Sequence, residues 1–428
     1  MVKDLTTRNL VLGLQHTFVM FGATVLVPIV AGMDVGVTLF AAGIGTLLFH
    51  VITRFKVPVF LGSSFAFIPA LTVIGKQQGL PYALGGVFVA GFLYVIVAVI
   101  FNFVSIDVLH KILPPHVTGP IIILIGIILA PVAVMNATDA YIGNARERIS
   151  ELGCWGVAAF TFSLGVFVKS AFPRWKLQFL SLLPVLFALM GGYILSALVG
   201  IVDFSPVASA PWLGIPKFSL PKFSLSAISF TVPIAVVTMV EHFGDILAIG
   251  NVTGKDYLAD PKISRTLLGD GLATSLAALI GGPANTTYSE NTGAVALTGV
   301  FNPLVMRIAA CFAILLSLVP KFTAIIGTIP PPVIGGISIL LFGMIAAIGV
   351  KNMVDARVDM GNPKVLMITA AMIVLGLGTG SIATLAGSGA PGASVTFGGF
   401  TLSGLGLAAI SGIVLNFILN FSQFRKKS

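Results

Sequence analysis

Apolar runs follow one another along the whole chain, separated by short polar or Gly/Pro-rich breaks. A helix needs about 20 apolar residues to cross a bilayer. Runs of that order predict spans near residues 10–31, 35–52, 57–74, 82–104, 117–136, 154–172 and 178–201, then near 228–250, 264–280, 283–300, 303–320, 330–350, 363–380 and 399–420. The count is fourteen, in two groups of seven. The third run of each group is short and interrupted by Gly and Pro. The pattern predicts an all-α polytopic membrane protein with 14 transmembrane segments.

The two groups resemble each other. Gln15-His16 corresponds to Glu241-His242, and Gly43 and Gly45 to Gly269 and Gly271, all at an offset of 226. Ser63-Ser64-Phe65 reads like Thr286-Thr287-Tyr288, and Leu113-Pro114-Pro115 like Ile329-Pro330-Pro331. An odd number of spans per copy inverts the second copy. Inverted repeats are a transporter signature, with the substrate site where discontinuous helices of the two halves meet near the midplane. The broken segments 3 and 10 fit that description. The stretches from Val57 to Phe65 and from Gly281 to Asn291 both open on Gly, Pro and small hydroxylic residues. Each predicts a short extended piece followed by a half-helix whose N–H groups suit a carbonyl oxygen or an anion. Paired as short antiparallel β pieces, the two would satisfy their backbones without water. One broken span reads equally well as a kink; two at matching repeat positions favour a site.

Composition and charge fit the pattern. Of 428 residues, 57% are hydrophobic and 9% charged, against about 25% charged in soluble domains. The net charge of +9 reads as cytoplasmic loops and affinity for anionic lipid rather than as a nucleic-acid surface. An even span count puts both termini on one side, and Arg425-Lys426-Lys427 argues for the cytoplasm. With that orientation 18 of the 24 Lys and Arg fall inside, which satisfies the positive-inside rule. Arg146, Arg148, Lys217 and Lys222 are exceptions in longer outer loops. Cys154 and Cys311 form no motif, so neither a disulfide nor a metal site is expected. No small-residue cleavage site follows a short apolar core, so no signal peptide is expected.

Against this background the stretch Asn285-Thr286-Thr287-Tyr288-Ser289-Glu290-Asn291-Thr292-Gly293 is an anomaly. The ionisable residues inside predicted spans are few: His16, Glu241, His242, Asp245, Asp270 and Glu290. Such groups are functional candidates by default, because leaving one in lipid is costly. Glu241 and Asp245 are i and i+4 and share a helix face. Glu241 and Glu290 have no Lys or Arg in their own spans, as a structural carboxylate should. A carboxyl that is neutral or charged by turns can carry a proton, and can recognise an amide-like N–H/C=O edge. His16 reads equally as a structural hydrogen-bonder and as a proton carrier. His242 reads as structural, and Asp270 as a packing or capping partner. His50 and His116, near span ends, carry little weight. No metal cluster, nucleophile elbow or phosphate loop supports an enzyme. A channel fits the composition, but two carboxylates on broken or facing helices suit a closed, alternating site better.

Three motifs carry a resemblance. Glu290-Asn291-Thr292-Gly293 is followed after four residues by Thr298-Gly299, Gln15-His16 lies in the first span, and Glu241-His242-Phe243-Gly244-Asp245 gives E-x-x-G-D. With these the chain resembles the nucleobase–cation symporter-2 family, also called nucleobase–ascorbate transporters, over nearly its whole length. Within it, Phe21 to Pro28, Leu61 to Phe67 and Asn285 to Tyr288 are most similar to the bacterial uracil carriers. Glu290, where xanthine-type members usually carry Gln, argues against xanthine or urate.

The resemblance implies proton-coupled import of uracil across a bacterial inner membrane, with no cofactor beyond the proton as coupling ion. It implies a core domain of segments 1–4 (residues 1–104) and 8–11 (228–328), and a gate domain of segments 5–7 (105–227) and 12–14 (329–428). An elevator-like movement and a homodimer through the gate domains belong to the same expectation. Carried over by residue, Glu241 and Glu290 would hydrogen-bond the pyrimidine, and the N–H groups of Phe65 and Ser289 would meet its carbonyl oxygens. Ala23, Tyr288 and Phe342 would line its ring faces. His16, Asp245 and Asn291 would join Glu290 and Glu241 in the proton network. Three positions depart from the best-known uracil carriers: Ser289 replaces Gly, Phe342 replaces Tyr, and Asp245 stands where some have His. Thymine, a 5-substituted uracil, xanthine or another purine therefore remain alternative substrates, and an anion-carrying or channel-like protein on the same fold an alternative class.

Overall fold

The computed structural model describes residues 6–103, 111–140, 143–385, 394–397 and 400–420. Both chain ends, including Arg425-Lys426-Lys427, lie outside them. In chain order the elements are α1 (Thr7–Ala31), α2 (Val35–Ile52), β1 (Leu61–Ser63), α3 (Ile68–Gln77), α4 (Leu80–Ile100), α5 (Pro115–Ala137), α6 (Glu151–Ala171), α7 (Pro184–Leu198) and the short α8 (Ser205–Ser209). Then follow α9 (Leu225–Thr253), α10 (Ile263–Leu279), β2 (Asn285–Thr287), α11 (Ser289–Thr298), α12 (Pro303–Ser317), α13 (Pro320–Gly327), α14 (Pro331–Asp355), α15 (Pro363–Leu385), β3 (Ser394–Phe397), β4 (Phe400–Ser403) and α16 (Gly404–Leu419).

The helices start and stop where local chemistry allows. Thr6 caps α1 by accepting from the Asn9 N–H, and Gly32 ends it in a left-handed turn, where a missing Cβ costs least. Asp34 caps α2 through the Val37 N–H at 2.9 Å. Ser224 and Ser403 cap α9 and α16 in the same way. Pro residues open α4, α5, α7, α12 and α14 within their first turn, where no N–H is needed.

Among the described residues, seven helices are long and apolar enough to cross a membrane: α1, α2, α4, α5, α6, α9 and α14. The run at 303–320 is not one straight span: α12 and α13 meet at 84°. The remaining runs hold the helices α7, α10, α15 and α16, and two strand–helix pairs, β1 with α3 and β2 with α11. The chain is a multi-pass membrane protein.

Two groups of helices pack mainly within themselves. In one, α4 lies along α10 and α9, α2 along α12 and α10, and α1 along α12. In the other, α5 lies along α14, α14 along α6, α6 along α7, and α15 along α16. In the membrane, small residues let helices approach closely. A Cβ at Gly91 of α4 would lie 2.7 Å from the Gly271 carbonyl oxygen of α10, and one at Gly271 equally close to the Gly91 carbonyl. The α4–α10 pair is thus set by backbone-to-backbone contact. Between the groups, α9 packs on α16 and α1 on α7.

Candidate functional site

Strands β1 and β2 pair antiparallel inside the first group, with Leu61 opposite Thr287, Gly62 opposite Thr286 and Ser63 opposite Asn285. All six residues are buried. Three-residue strands alone bury too little to persist, so the surrounding helices must hold them. Thr46 of α2 does so for β1: its Oγ1 donates to the Leu61 carbonyl and accepts from the Leu61 N–H at 2.9 Å. Thr274 of α10 does so for β2, donating to the Asn285 carbonyl at 2.9 Å. The Asn285 amide reaches back to the Ala41 carbonyl. These threonines carried no signal in the sequence beyond being Thr in an apolar helix.

Tyr288 locks the two strands together. It is 3% exposed. Its hydroxyl donates to the Ser63 carbonyl at 2.9 Å, and Thr24 of α1 donates to that hydroxyl at 3.3 Å. Its ring lies on Gly62, where an added Cβ would come within 2.3 Å of ring carbons. A ring set against Gly62 and tethered through its hydroxyl has little freedom to slide aside. Gly62→Ala is therefore expected to force Tyr288 off its partners and to destabilise the protein by about 1–3 kcal/mol, the usual cost of overpacking. Thermal unfolding of the purified variant checks this, and an unchanged midpoint would show that the ring has room to move.

Each strand leads into a helix start. A single 3-10 turn, Phe65–Phe67, runs into α3, and α11 begins at Ser289. Neither Ser64 nor Tyr288 caps these starts with its side chain. Helix N-termini of that kind present N–H groups to whatever lies before them. Around α11 the polar residues converge. Asp245 of α9 accepts from Thr287 Oγ1 at 2.7 Å through one carboxylate oxygen and from Ser289 Oγ at 2.5 Å through the other. Asn291 Nδ2 lies 3.2 Å from His16 Nδ1 and donates to the His16 carbonyl at 3.3 Å, tying α11 to α1.

Glu290 and Ser289 are exposed and Glu241 is half-buried, whereas Asp245, His16 and Asn291 are buried. The open face of α11 is a stripe: Ser289, Glu290, Gly293, Ala296 and Leu297 are exposed, and so is Gly299 just beyond the helix. A Cβ at Gly293, or at Gly244 of α9, would meet nothing within 4 Å. The stripe leads from Glu290 to the end of α11, where Val300, Phe301 and Asn302 meet Arg8 and Leu12 of α1 around an open recess of about 470 Å³.

Ala23, Tyr288 and Phe342 are buried, while Phe65 is half-buried. Phe65 meets Phe342 of α14 edge to face at 6.0 Å between ring centres. The seam beside that contact is apolar: Ala66 and Pro69 face Ile125, Leu129 and Leu405. The structure thus brings Glu241, Glu290, Asp245 and Ser289 to one end of α11, with Phe65 and Phe342 meeting across the two helix groups. His242 turns away from Glu241. Its Nδ1 lies 3.2 Å from Asp270 Oδ2 with both side chains fully buried, and its ring meets Phe49 edge-on. Asp270 sits inside α10 rather than capping a helix. His50 contacts the Val59 carbonyl at 3.0 Å, and His116 contacts Asn416 at 3.1 Å, both bracing turns and helices.

Buried strands crossing between two helix starts, with acids at their meeting point inside a helical membrane protein, define a carrier rather than an enzyme. Residues 7–384 match a family described as "Permease family". The chain belongs to this family of permeases, the nucleobase:cation symporter-2 family. It is 41% identical over 412 residues to the uracil permease of Bacillus subtilis, covering 95% of this chain and 91% of that one. It is 40% identical over 410 residues to the probable uracil permease of Haemophilus influenzae, covering 95% and 93%. Among solved structures, the transmembrane domain of the cyanobacterial bicarbonate transporter BicA superposes with a TM-score of 0.62 at 17% identity, covering 86% of this chain and 94% of that one. At that identity the likeness is one of fold.

Proposed function

We propose that this chain is a uracil:proton symporter of a bacterial inner membrane. Its fourteen segments form two inverted repeats of seven, the strands β1 and β2 are the extended parts of segments 3 and 10, and both termini lie in the cytoplasm. Segments 1–4 and 8–11 form a core, and segments 5–7 and 12–14 a gate through which two copies pair. The packing of the helices into two groups supports this division, and the apolar seam around Phe65 suits an elevator movement of one group along the other.

The observation that carries the substrate reading is the exposed Glu290 beside half-buried Glu241 at the uncapped start of α11. Two carboxyl groups suit a neutral base that offers N–H donors, and the two helix starts suit its carbonyl oxygens. They do not suit an anion such as bicarbonate, which like charge would repel. Uracil permeases at about 40% identity over 95% of the chain support the same choice. The open stripe along α11 supports an inward-open state, because α11 ends on the side where α1 begins.

In this reading a proton and a uracil are taken up together at Glu290 and Glu241 and released along the stripe. Uptake of labelled uracil into cells or proteoliposomes should rise as the outer pH falls and collapse with an uncoupler. Uptake that ignores the uncoupler and follows sodium instead would overturn the proton assignment. A thermal-shift screen against the nucleobases tests the substrate, since a ligand that binds only the folded protein stabilises it by mass action. Uracil should give the largest shift; a purine giving it would overturn the pyrimidine reading.

A further inference from the structure

The segment from Asp203 to Ser224, between α7 and α9, has a pattern that transport chemistry does not use. Pro206, Pro211, Pro216 and Pro221 recur every fifth residue. Proline lacks a donor and breaks helices and ladders, and past α8 the segment is neither helix nor strand. It does not hang free. The Lys222 N–H donates to the Pro81 carbonyl at the start of α4, the Ser219 N–H to Ile280 just past α10, and the Gly214 N–H to Leu318 just past α12. The Lys321 N–H of α13 donates back to the Pro211 carbonyl. Phe218 meets Phe40 of α2 at a tilt, 5.1 Å between ring centres, and Phe223 meets Phe88 of α4 edge to face at 5.8 Å. The chain is thus a strap laid across the ends of several spanning helices on one side of the bundle.

Those ends fix its depth. Helices α2 and α4 have 18 and 21 residues. At about 1.5 Å per residue they are roughly 27 and 32 Å long, which matches a hydrocarbon core of about 30 Å. Their ends lie at the headgroup level, and so does the strap. Its outward side is apolar beyond what water favours: Trp212, Leu213, Ile215 and Leu220 are 72%, 78%, 78% and 75% exposed. Lys217 and Lys222 are exposed beside them, and among the described residues no carboxylate pairs with either. Lys321 Nζ sits 5.0 Å from the centre of the Trp212 ring. Aromatic side chains with lysine at the ends of spanning helices mark the membrane–water interface.

We propose that residues 203–224 form an interfacial strap that buries its apolar side chains in the headgroup layer and binds anionic phospholipid through Lys217 and Lys222. The proposal rests on the strap and the helix ends beneath it and stands whatever the substrate is.

The test uses the whole chain in nanodiscs of phosphatidylcholine and phosphatidylglycerol, with bromine on the acyl chains either near the glycerol or near the terminal methyl. Subtracting the emission of Trp212→Phe isolates Trp212 from Trp155 and Trp175. Shallow bromine should remove most of the Trp212 emission and deep bromine much less, while aqueous iodide leaves it largely intact. Full iodide quenching without bromine quenching would show a solvent-facing strap. Shielding from both would show a protein partner, such as a second copy. Either result overturns the proposal. The second arm measures enrichment of phosphatidylglycerol around the purified protein by native mass spectrometry. Neutralising Lys217 and Lys222 to Gln should lower it about fivefold per lysine, the value of one surface cation beside anionic lipid. Unchanged enrichment would overturn the lipid-binding part.

Discussion

Glu290→Gln is expected to abolish uphill accumulation of uracil while leaving exchange of uracil across the membrane measurable. Glu290 is the exposed acid in the first turn of α11, at the head of the open stripe, so in the proposed reading it is the group that would meet both substrate and water. A glutamine keeps a donor and an acceptor for a pyrimidine edge but carries no proton. Exchange needs binding and movement only, whereas accumulation needs the coupled proton. Binding should weaken as well, by roughly two- to ten-fold, because the hydrogen bond of a protonated carboxyl is an uncharged one that contributes about 0.5–1.5 kcal/mol. Glu241→Gln, half-buried on α9, should weaken binding by a similar factor. Counterflow and accumulation assays on the two variants separate the roles. If both variants bind and accumulate uracil like the parent chain, the site has been misplaced.

The sequence made some parts of this site legible because their cause is local. Gly, Pro and hydroxylic residues interrupting an apolar run signal a broken span wherever it folds, and β1 and β2 occur in the two interrupted stretches. Glu290 stood out because an acid in an apolar chain is costly without partners. What stayed hidden depends on residues far apart in the chain. Thr24 and Ser63 meet the Tyr288 hydroxyl across separations of 264 and 225 residues, so nothing in the sequence signalled that this ring ties the two strands together. Phe342 likewise points at Phe65, and both rings lie on the seam between helix groups. His242 and Asp270 read singly as bland residues, yet each is the other's buried neighbour. The bend between α12 and α13 stayed hidden too: the apolar run at 303–320 reads as one span, and the chain turns by 84° at its Val319-Pro320 step.

Asp245 and Ser289 were two separate departures from the familiar uracil carriers, and the structure makes them one contact. The Asp245 carboxylate holds Thr287 on one side of Tyr288 and Ser289 on the other. It therefore clamps the junction of β2 and α11 from α9 and fixes where the α11 N-terminus points. Asp245→Ala leaves the buried Thr287 hydroxyl without this partner, and an unsatisfied buried group costs about 1–3 kcal/mol. Loss of the Ser289 bond adds to that, so the variant should melt well below the parent chain and lose most uptake. Asp245→Asn keeps one acceptor oxygen and should fall between the two. Ser289→Ala removes only one bond, leaves Thr287 on the carboxylate, and should cost least. Combining Asp245→Asn with Ser289→Ala should cost less than the sum of the two, with a coupling of about 0.5–3 kcal/mol, as expected for residues sharing one hydrogen bond. Strict additivity in both thermal stability and uracil affinity would mean that the contact does not set the site, and that Ser289 acts on the substrate by its bulk alone.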